Sequence, residues 1–183
     1  GRQVGRFDFA CPAAMAMDPE KREEILGAYR EACAQMDEPD CYVPFLAYEG
    51  HPRPNHEDRQ IIFKTYTEEG IPPPVFTSVR ELDETFRDRD DVLMQVHIGG
   101  WPPRWDLYRP AKDRMLEVCS GFGCAEWLLQ RGLKLGYKPA VCAASDLHLG
   151  PMGGPRGVET FWGRFGSKYP MRQRDAAYGT GPV

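Results

Sequence analysis

Short apolar runs of strand length alternate with longer segments of helical periodicity along most of this chain. The runs are Tyr42–Tyr48, Ile61–Phe63, Val92–Val96, Met115–Cys119 and Ala140–Ala144. Helices are predicted over residues 19–36, after a Ser78–Glu81 capping box, and over 122–135. Strands with continuous apolar sequence are typical of parallel sheets, in which a crossover segment joins each strand to the next. The pattern therefore predicts an α/β fold of parallel β-α units, in an open sheet or a barrel.

Length and composition restrict the class of protein. At 183 residues, with 42% hydrophobic and 27% charged residues, the chain is expected to form one folded domain. No apolar stretch reaches the roughly 18 residues of a membrane-spanning helix, and the first residues lack the apolar segment of a signal peptide. The net charge of −4 does not favour binding to nucleic acid. We therefore expect neither a membrane nor a nucleic acid as partner.

The cysteines indicate the cellular compartment of the protein, and the chain ends indicate whether the sequence is a fragment. The six cysteines include no Cys-x-x-Cys pair and lie mostly in apolar runs, as buried free thiols do. This usage favours a reducing compartment, and we predict a cytoplasmic protein. Cys119 and Cys124 are expected to be buried rather than nucleophilic. Because there is no initiating Met and an apolar segment begins at the very end, the chain is expected to be a fragment.

Side chains that bind metals follow the strand-like runs. Three come directly after a run and three lie in the loops beyond, namely Glu49, His97 and Asp146, and then His51, His56 and His148. The carboxyl ends of parallel strands share one edge of a sheet, so these groups are expected to lie close together. Imidazoles and carboxylates without thiolates suit a catalytic zinc, manganese or iron ion. The alternative is a coincidental set of loop histidines.

Several segments resemble the PHP (polymerase and histidinol phosphatase) superfamily, and most of all a branch of uncharacterised function. They are Tyr42–Gly50, Met115–Ser120 with Phe122–Trp127, and Ala144–Gly150, which reads ASDLHLG. The likeness extends from about Phe7 to Val183. It implies a distorted β/α barrel of the seven-stranded type. It also implies a multinuclear metal cluster that hydrolyses phosphate esters or related bonds.

The resemblance also assigns roles to individual residues. It implies metal ligands at Glu49, His97, Asp146, His148 and His56. Glu117 would orient one of these ligands through a hydrogen bond.

The chain departs from the family in its first part. The family begins with a His-x-His motif, and nothing of that kind precedes Phe7. The strand-like segment Phe7–Cys11 continues into Pro12–Met17, where no ligand-type side chain stands. The sequence therefore predicts the later half of a metal site, with the earlier half missing.

Further side chains are candidates for contact with a substrate. Arg156 belongs to a basic, aromatic segment, Pro151–Asp175, that suits recognition of a phosphate or carboxylate. Trp101 follows His97 closely and is a candidate wall of a pocket, and His51 is a candidate neighbour of a ligand or substrate. A solvated loop and ordinary packing are the alternatives for Arg156 and Trp101.

Residues and resemblance together predict a metal-dependent hydrolase of the phosphoesterase type. A divalent zinc, manganese or iron ion would activate the attacking water, and the substrate would be a small anion, such as a phosphorylated compound. The alternative is a non-catalytic PHP-like domain that binds a small anion or a partner protein. The missing early motif favours that alternative.

Overall fold

The structure, a computed structural model, is mixed α/β and describes residues 8–11, 13–14, 20–52, 57–67, 71–73, 75–98, 104–120 and 123–143. Its elements in chain order are β1 (Phe9–Ala10), β2 (Ala13–Ala14), α1 (Arg22–Met36), β3 (Val43–Pro44), β4 (Ala47–Pro52), β5 (Arg59–Phe63), β6 (Val75–Phe76), α2 (Val79–Phe86), β7 (Val92–Val96), a 3-10 turn (Trp105–Leu107), β8 (Asp113–Ser120), β9 (Gly123–Cys124), α3 (Glu126–Lys134) and β10 (Ala140–Ala143). The predicted alternation of strands and helices is confirmed within these ranges.

One large sheet organises the molecule. Its strand order is β10-β8-β7-β5-β4-β2, with β6 beside β4 and β9 beside β8, while β1 and β3 form a separate parallel pair. The pairs β10–β8, β8–β7 and β4–β2 are parallel. Strand β5 is antiparallel to both β4 and β7, so the prediction of uniformly parallel pairing was wrong at this position. Because β4 and β7 both oppose β5, their carboxyl ends and the start of β5 lie at the same edge.

Two hydrophobic clusters join the helices to one face of this sheet. In the first, Leu26 of α1 and Leu82 of α2 pack against strand residues such as Tyr48, Ile61 and Met94. In the second, Leu128 of α3 packs against strand residues that include Val96. All three helices among the described residues therefore cover the same apolar face, whose burial stabilises the fold by roughly 1.5–3 kcal/mol per large side chain.

The opposite face of the sheet carries polar side chains. Glu49, Gln60 and Gln95 are in register across β4, β5 and β7, one position along from the apolar row of Tyr48, Ile61 and Met94. Since successive residues of a strand point to opposite faces, this polar row faces away from the helices. Gln95 is nevertheless only 6% exposed. Glu49 and Gln60 are half-buried, so the polar face is partly shielded from water.

Three element boundaries differ from the sequence-based expectation. Strand β4 continues through Glu49 and His51 rather than ending before them. Helix α3 begins at Glu126, because residues 123–124 first pair with β8. In the predicted capping box, the Ser78 hydroxyl accepts from the Glu81 amide as expected, but the Glu81 carboxylate accepts from Thr77 instead of completing the box.

Helix length and polarity also bear on membrane association. No helix in the described ranges is both long enough and apolar enough to cross a membrane.

Candidate functional site

Three ligand-type side chains converge at the carboxyl edge of β4. Glu49, His51 and Asp58 each offer a donor atom, and these atoms all lie within 4.8 Å of one another. His51 Nδ1 lies 3.1 Å from Asp58 Oδ1 and 4.0 Å from Glu49 Oε1. Glu49 and His51 share a face because they are two residues apart in a strand, and Asp58 reaches them because antiparallel β5 begins at this edge.

His97 joins this group through Glu49. Its Nε2 lies 3.6 Å from Glu49 Oε1, and its backbone amide donates to the Asp58 carbonyl at 3.2 Å. On the other side of the ring, Nδ1 donates to Glu117 Oε2 at 2.5 Å. The same carboxylate oxygen accepts from the Ile98 amide at 3.1 Å. A carboxylate that accepts from Nδ1 leaves the Nε2 lone pair directed toward Glu49.

The site holds more acidic than basic side chains. Glu49, Asp58 and Glu117 contribute three carboxylates, and Glu117 has no exposed surface. Glu117 Oε1 is buried without a hydrogen-bond partner among the described residues. The buried guanidinium of Arg59, which follows Asp58 in the chain, pairs with Asp113 instead. Burying like charges together costs free energy unless a counter-charge is present, so this arrangement favours a cation.

The distances also fit a divalent ion. Metal–ligand bonds of about 2.1 Å in tetrahedral geometry place neighbouring donor atoms roughly 3.4 Å apart. Within the group, His51 Nδ1 lies 3.1 Å from Asp58 Oδ1 and 4.0 Å from Glu49 Oε1, on either side of that value. Glu49, His51 and Asp58 are therefore a group that could hold a metal ion.

Glu57 borders the group on its other side. Its carboxylate is buried, and burial raises the pKa of Glu57, while Arg59 and Arg104 partly oppose that rise. Arg104 Nε lies 4.0 Å from Glu57 Oε1 and also pairs with exposed Asp106. This end of the site therefore combines a destabilised carboxylate with a half-exposed guanidinium.

The structure places four of the residues named from the sequence. Glu49, His51 and His97 lie together at the carboxyl edge, and Glu117 contacts His97. His51 lies inside β4 and among the ligand-type groups, whereas the sequence placed it in a loop as an outer neighbour. The remaining predicted residues lie outside the described part of the chain, namely His56, Trp101, Asp146, His148 and Arg156.

Asp58 was missed from the sequence. It precedes the apolar run Ile61–Phe63, and a parallel strand would have placed it at the opposite edge. The useful signal was in the twelve residues between Tyr48 and Ile61, which carry two prolines and no helical apolar pattern and so suit an antiparallel loop better than a helical crossover. With β5 reversed, Asp58 falls beside His51.

The cysteines give a prediction that is independent of any metal. Burial raises the pKa of Cys11 and of Cys142 from an ordinary 9.0 to about 12 each, whereas Cys41 is exposed. Since only the thiolate reacts, Cys11 and Cys142 should react with iodoacetamide at pH 8 about a thousandfold more slowly than a thiol of ordinary pKa. Mass spectrometry of timed samples measures this, with Cys41 as the internal reference. Equal labelling of all three in the folded protein would contradict the burial.

Comparison with known proteins adds one likeness in fold. The chain matches no protein-family model, and no curated protein matches its sequence significantly. The crystal structure of PsfC from Pseudomonas syringae PB-5123 is similar, with a TM-score of 0.56 and 16% identity over 80% of this chain. This chain spans 64% of the length of that protein. At this identity the likeness shows the α/β fold alone and does not indicate the PHP superfamily.

Proposed function

We propose that this chain is a metal-dependent hydrolase of the PHP type, in which Glu49, His51 and Asp58 bind a divalent ion. The observation that carries the proposal is the convergence of their donor atoms within 4.8 Å. Asp58 and His51 are 6% and 7% exposed, so neither is an ordinary surface group. Two carboxylates and an imidazole satisfy the three protein ligands of a catalytic centre and leave a position for water.

His97 and Glu117 support the same function. A carboxylate that fixes the orientation of a histidine is a common partner of metal-binding imidazoles. Nδ1 of His97 is held by Glu117, and Nε2 lies 3.6 Å from Glu49 Oε1. We propose His97 as a further ligand at this edge. Asp146 and His148 remain proposed ligands, because β10 ends at Ala143 and runs parallel to β8.

The proposed reaction is hydrolysis of a phosphate ester or related bond. A divalent ion bound here supplies a water of lowered pKa and positive charge for the developing oxyanion. The protein residues hold the ligand geometry and keep bulk water away from it, since most of the surrounding side chains are buried. Arg156 and Trp101 are the proposed contacts to a small anionic substrate.

We also propose that the sheet closes into a distorted barrel with the polar face inside. All three described helices cover the opposite face, yet Gln95, His97 and Glu117 are buried. Cys142, in β10 at one end of the strand order, contributes to raising the pKa of Cys11, which is two residues before β2 at the other end. This interaction supports the proposal, because a barrel brings the two ends of the strand order together.

The decisive experiment measures metal content and hydrolysis on the same sample. The purified 183-residue chain is expected to contain a divalent metal by elemental analysis, or to bind Mn²⁺ saturably after chelation. The metal-loaded protein is expected to hydrolyse p-nitrophenyl phosphate or bis-p-nitrophenyl phosphate, and the chelated protein is not. Absence of both bound metal and saturable Mn²⁺ binding would overturn the proposal. Metal binding without hydrolysis of either ester would favour the non-catalytic alternative.

A further inference from the structure

A buried ion pair lies directly behind Asp58, on the helix-covered side of the sheet. Arg59 Nε donates to Asp113 Oδ1 at 2.9 Å, and the two residues are 1% and 2% exposed. Arg59 begins β5, in register with Val96 of the apolar face. Its side chain therefore points away from the face that carries Glu49 and His97. Apart from its charge, which lowers the pKa of Glu57, Arg59 acts on the candidate site through the backbone.

That backbone connection is visible in the hydrogen bonds of Arg59. Its Nη1 donates to the carbonyl of Glu57 at 2.8 Å and to the carbonyl of Asp58 at 3.3 Å. The Asp58 carbonyl also accepts from the His97 amide at 3.2 Å. Arg59 thus holds the peptide units on both sides of Asp58 from the helix-covered face of the sheet. The unit after Asp58 also accepts a hydrogen bond from β7.

Asp113 is itself fixed. While Oδ1 accepts from Arg59, Oδ2 accepts from the Arg109 amide at 2.8 Å. Asp113 also starts β8 and is in register with Met94 of β7. The pair therefore joins the start of β5 to the start of β8 across β7. We call Arg59 and Asp113 the clamp.

We propose that the clamp is a positioning device for Asp58, holding its carboxylate toward His51 by fixing the carbonyls of residues 57 and 58. This inference rests on the proposed metal site but concerns two residues that touch none of its side chains. Buried ion pairs contribute little net stability compared with apolar residues of similar volume, so stability alone does not account for this one. A role in fixing one backbone conformation accounts for this ion pair.

The test replaces both charges together, because removing one would leave the other buried and unpaired. In the double variant Arg59→Met with Asp113→Leu, apolar side chains replace the ion pair at little net cost, and the thermal midpoint is expected to fall only by the cost of the backbone groups that lose a partner. The carbonyls of residues 57 and 58 lose their donor. We expect the dissociation constant for Mn²⁺ to rise roughly ten- to a hundredfold, as for other partners that orient metal ligands.

A second measurement does not depend on any metal. Hydrogen exchange of the His97 amide, which donates to the Asp58 carbonyl, should become about tenfold faster in the double variant. The amide of Phe63, which donates to the Leu46 carbonyl at the far end of β5 from Arg59, should keep its rate. The matched control is Arg80→Met with Glu84→Leu, which removes an exposed ion pair of α2 and should change neither measurement.

The outcomes separate this inference from the proposed function. A folded double variant with wild-type Mn²⁺ affinity and wild-type exchange at His97 would overturn the clamp. If the wild-type chain binds no Mn²⁺, the proposed function fails, and the exchange rate of His97 alone decides the clamp. If the double variant does not fold, Arg59→Lys takes its place. That variant keeps a charge for Asp113, but one ammonium nitrogen replaces the separate Nε and Nη1 donors, so the contacts to the two carbonyls are expected to weaken and the same measurements decide.

Discussion

Replacing Asp58 by asparagine is expected to weaken Mn²⁺ binding by roughly a hundredfold or more, about 2.8 kcal/mol, without destabilising the metal-free fold. Asparagine keeps an oxygen that can accept from His51 Nδ1, which lies 3.1 Å from Asp58 Oδ1. It removes one of two carboxylates whose oxygens lie within 4.8 Å of each other. A metal loses a charged ligand, whereas the metal-free protein loses a like-charge repulsion. A substitution that weakens metal binding without destabilising the metal-free protein is the result expected of a metal ligand.

Calorimetric titration with Mn²⁺ and thermal unfolding in chelator measure the two effects. Asp88→Asn is the control, because Asp88 is exposed and lies just after α2, away from Glu49 and His51 in the fold. It should change neither quantity. If Asp58→Asn lowers the unfolding temperature of the metal-free protein and leaves Mn²⁺ affinity unchanged, Asp58 is a structural residue and the ligand assignment is wrong.

The strands that position the site could be predicted from the sequence because their apolar runs are long and clear. Val92–Val96 was expected as a strand ending at His97, and β7 has those bounds. The direction of a short strand could not be predicted in the same way, since hydrophobic pattern carries no polarity. The reversal of β5 therefore went unseen, and with it the placement of Asp58.

The end of β4 illustrates a second limit. An apolar run was expected to stop at the first charged residue, but β4 continues through Glu49, Gly50 and His51. These residues remain in the sheet because Glu49 and His51 contact one another and Asp58, rather than water. Gly50 allows close packing, since a Cβ there would come within 2.7 Å of the Ile61 side chain. Polar side chains within a strand thus prevent its full length from being predicted by hydrophobicity.

The resemblance implied that Glu117 orients a metal ligand, but it did not name that ligand, and the contact with His97 depends on the pairing of β7 with β8. Gln95 is in register with Met115 and Val96 with Leu116, so the next positions bring His97 beside Glu117. This register includes a shift between Met94 and Gln95, and no pattern in the sequence predicts that shift. Without the shift, His97 would be in register with Leu116, and Glu117 would lie on the other face of the sheet.

Gly132→Ala is expected to destabilise the protein by about 2–3 kcal/mol, although glycine to alanine in a helix ordinarily stabilises. A Cβ at Gly132 would lie 2.2 Å from two ring atoms of Trp105. The indole cannot retreat easily, because it stacks on Tyr137 at 5.4 Å and meets Tyr108 edge-on at 5.0 Å. Either α3 or the aromatic group must therefore move.

Gly27 in α1 supplies the matched control. A Cβ there meets nothing within 4 Å, so Gly27→Ala should stabilise by roughly 0.5–1 kcal/mol through helix propensity alone. Urea unfolding of both variants measures the difference, and tryptophan fluorescence of Gly132→Ala reports whether Trp105 is displaced. If Gly132→Ala stabilises as Gly27→Ala does, the close packing of α3 on Trp105 is wrong. Because Trp105 follows Arg104, the neighbour of Glu57, a confirmed displacement would connect the packing of α3 to the border of the candidate site.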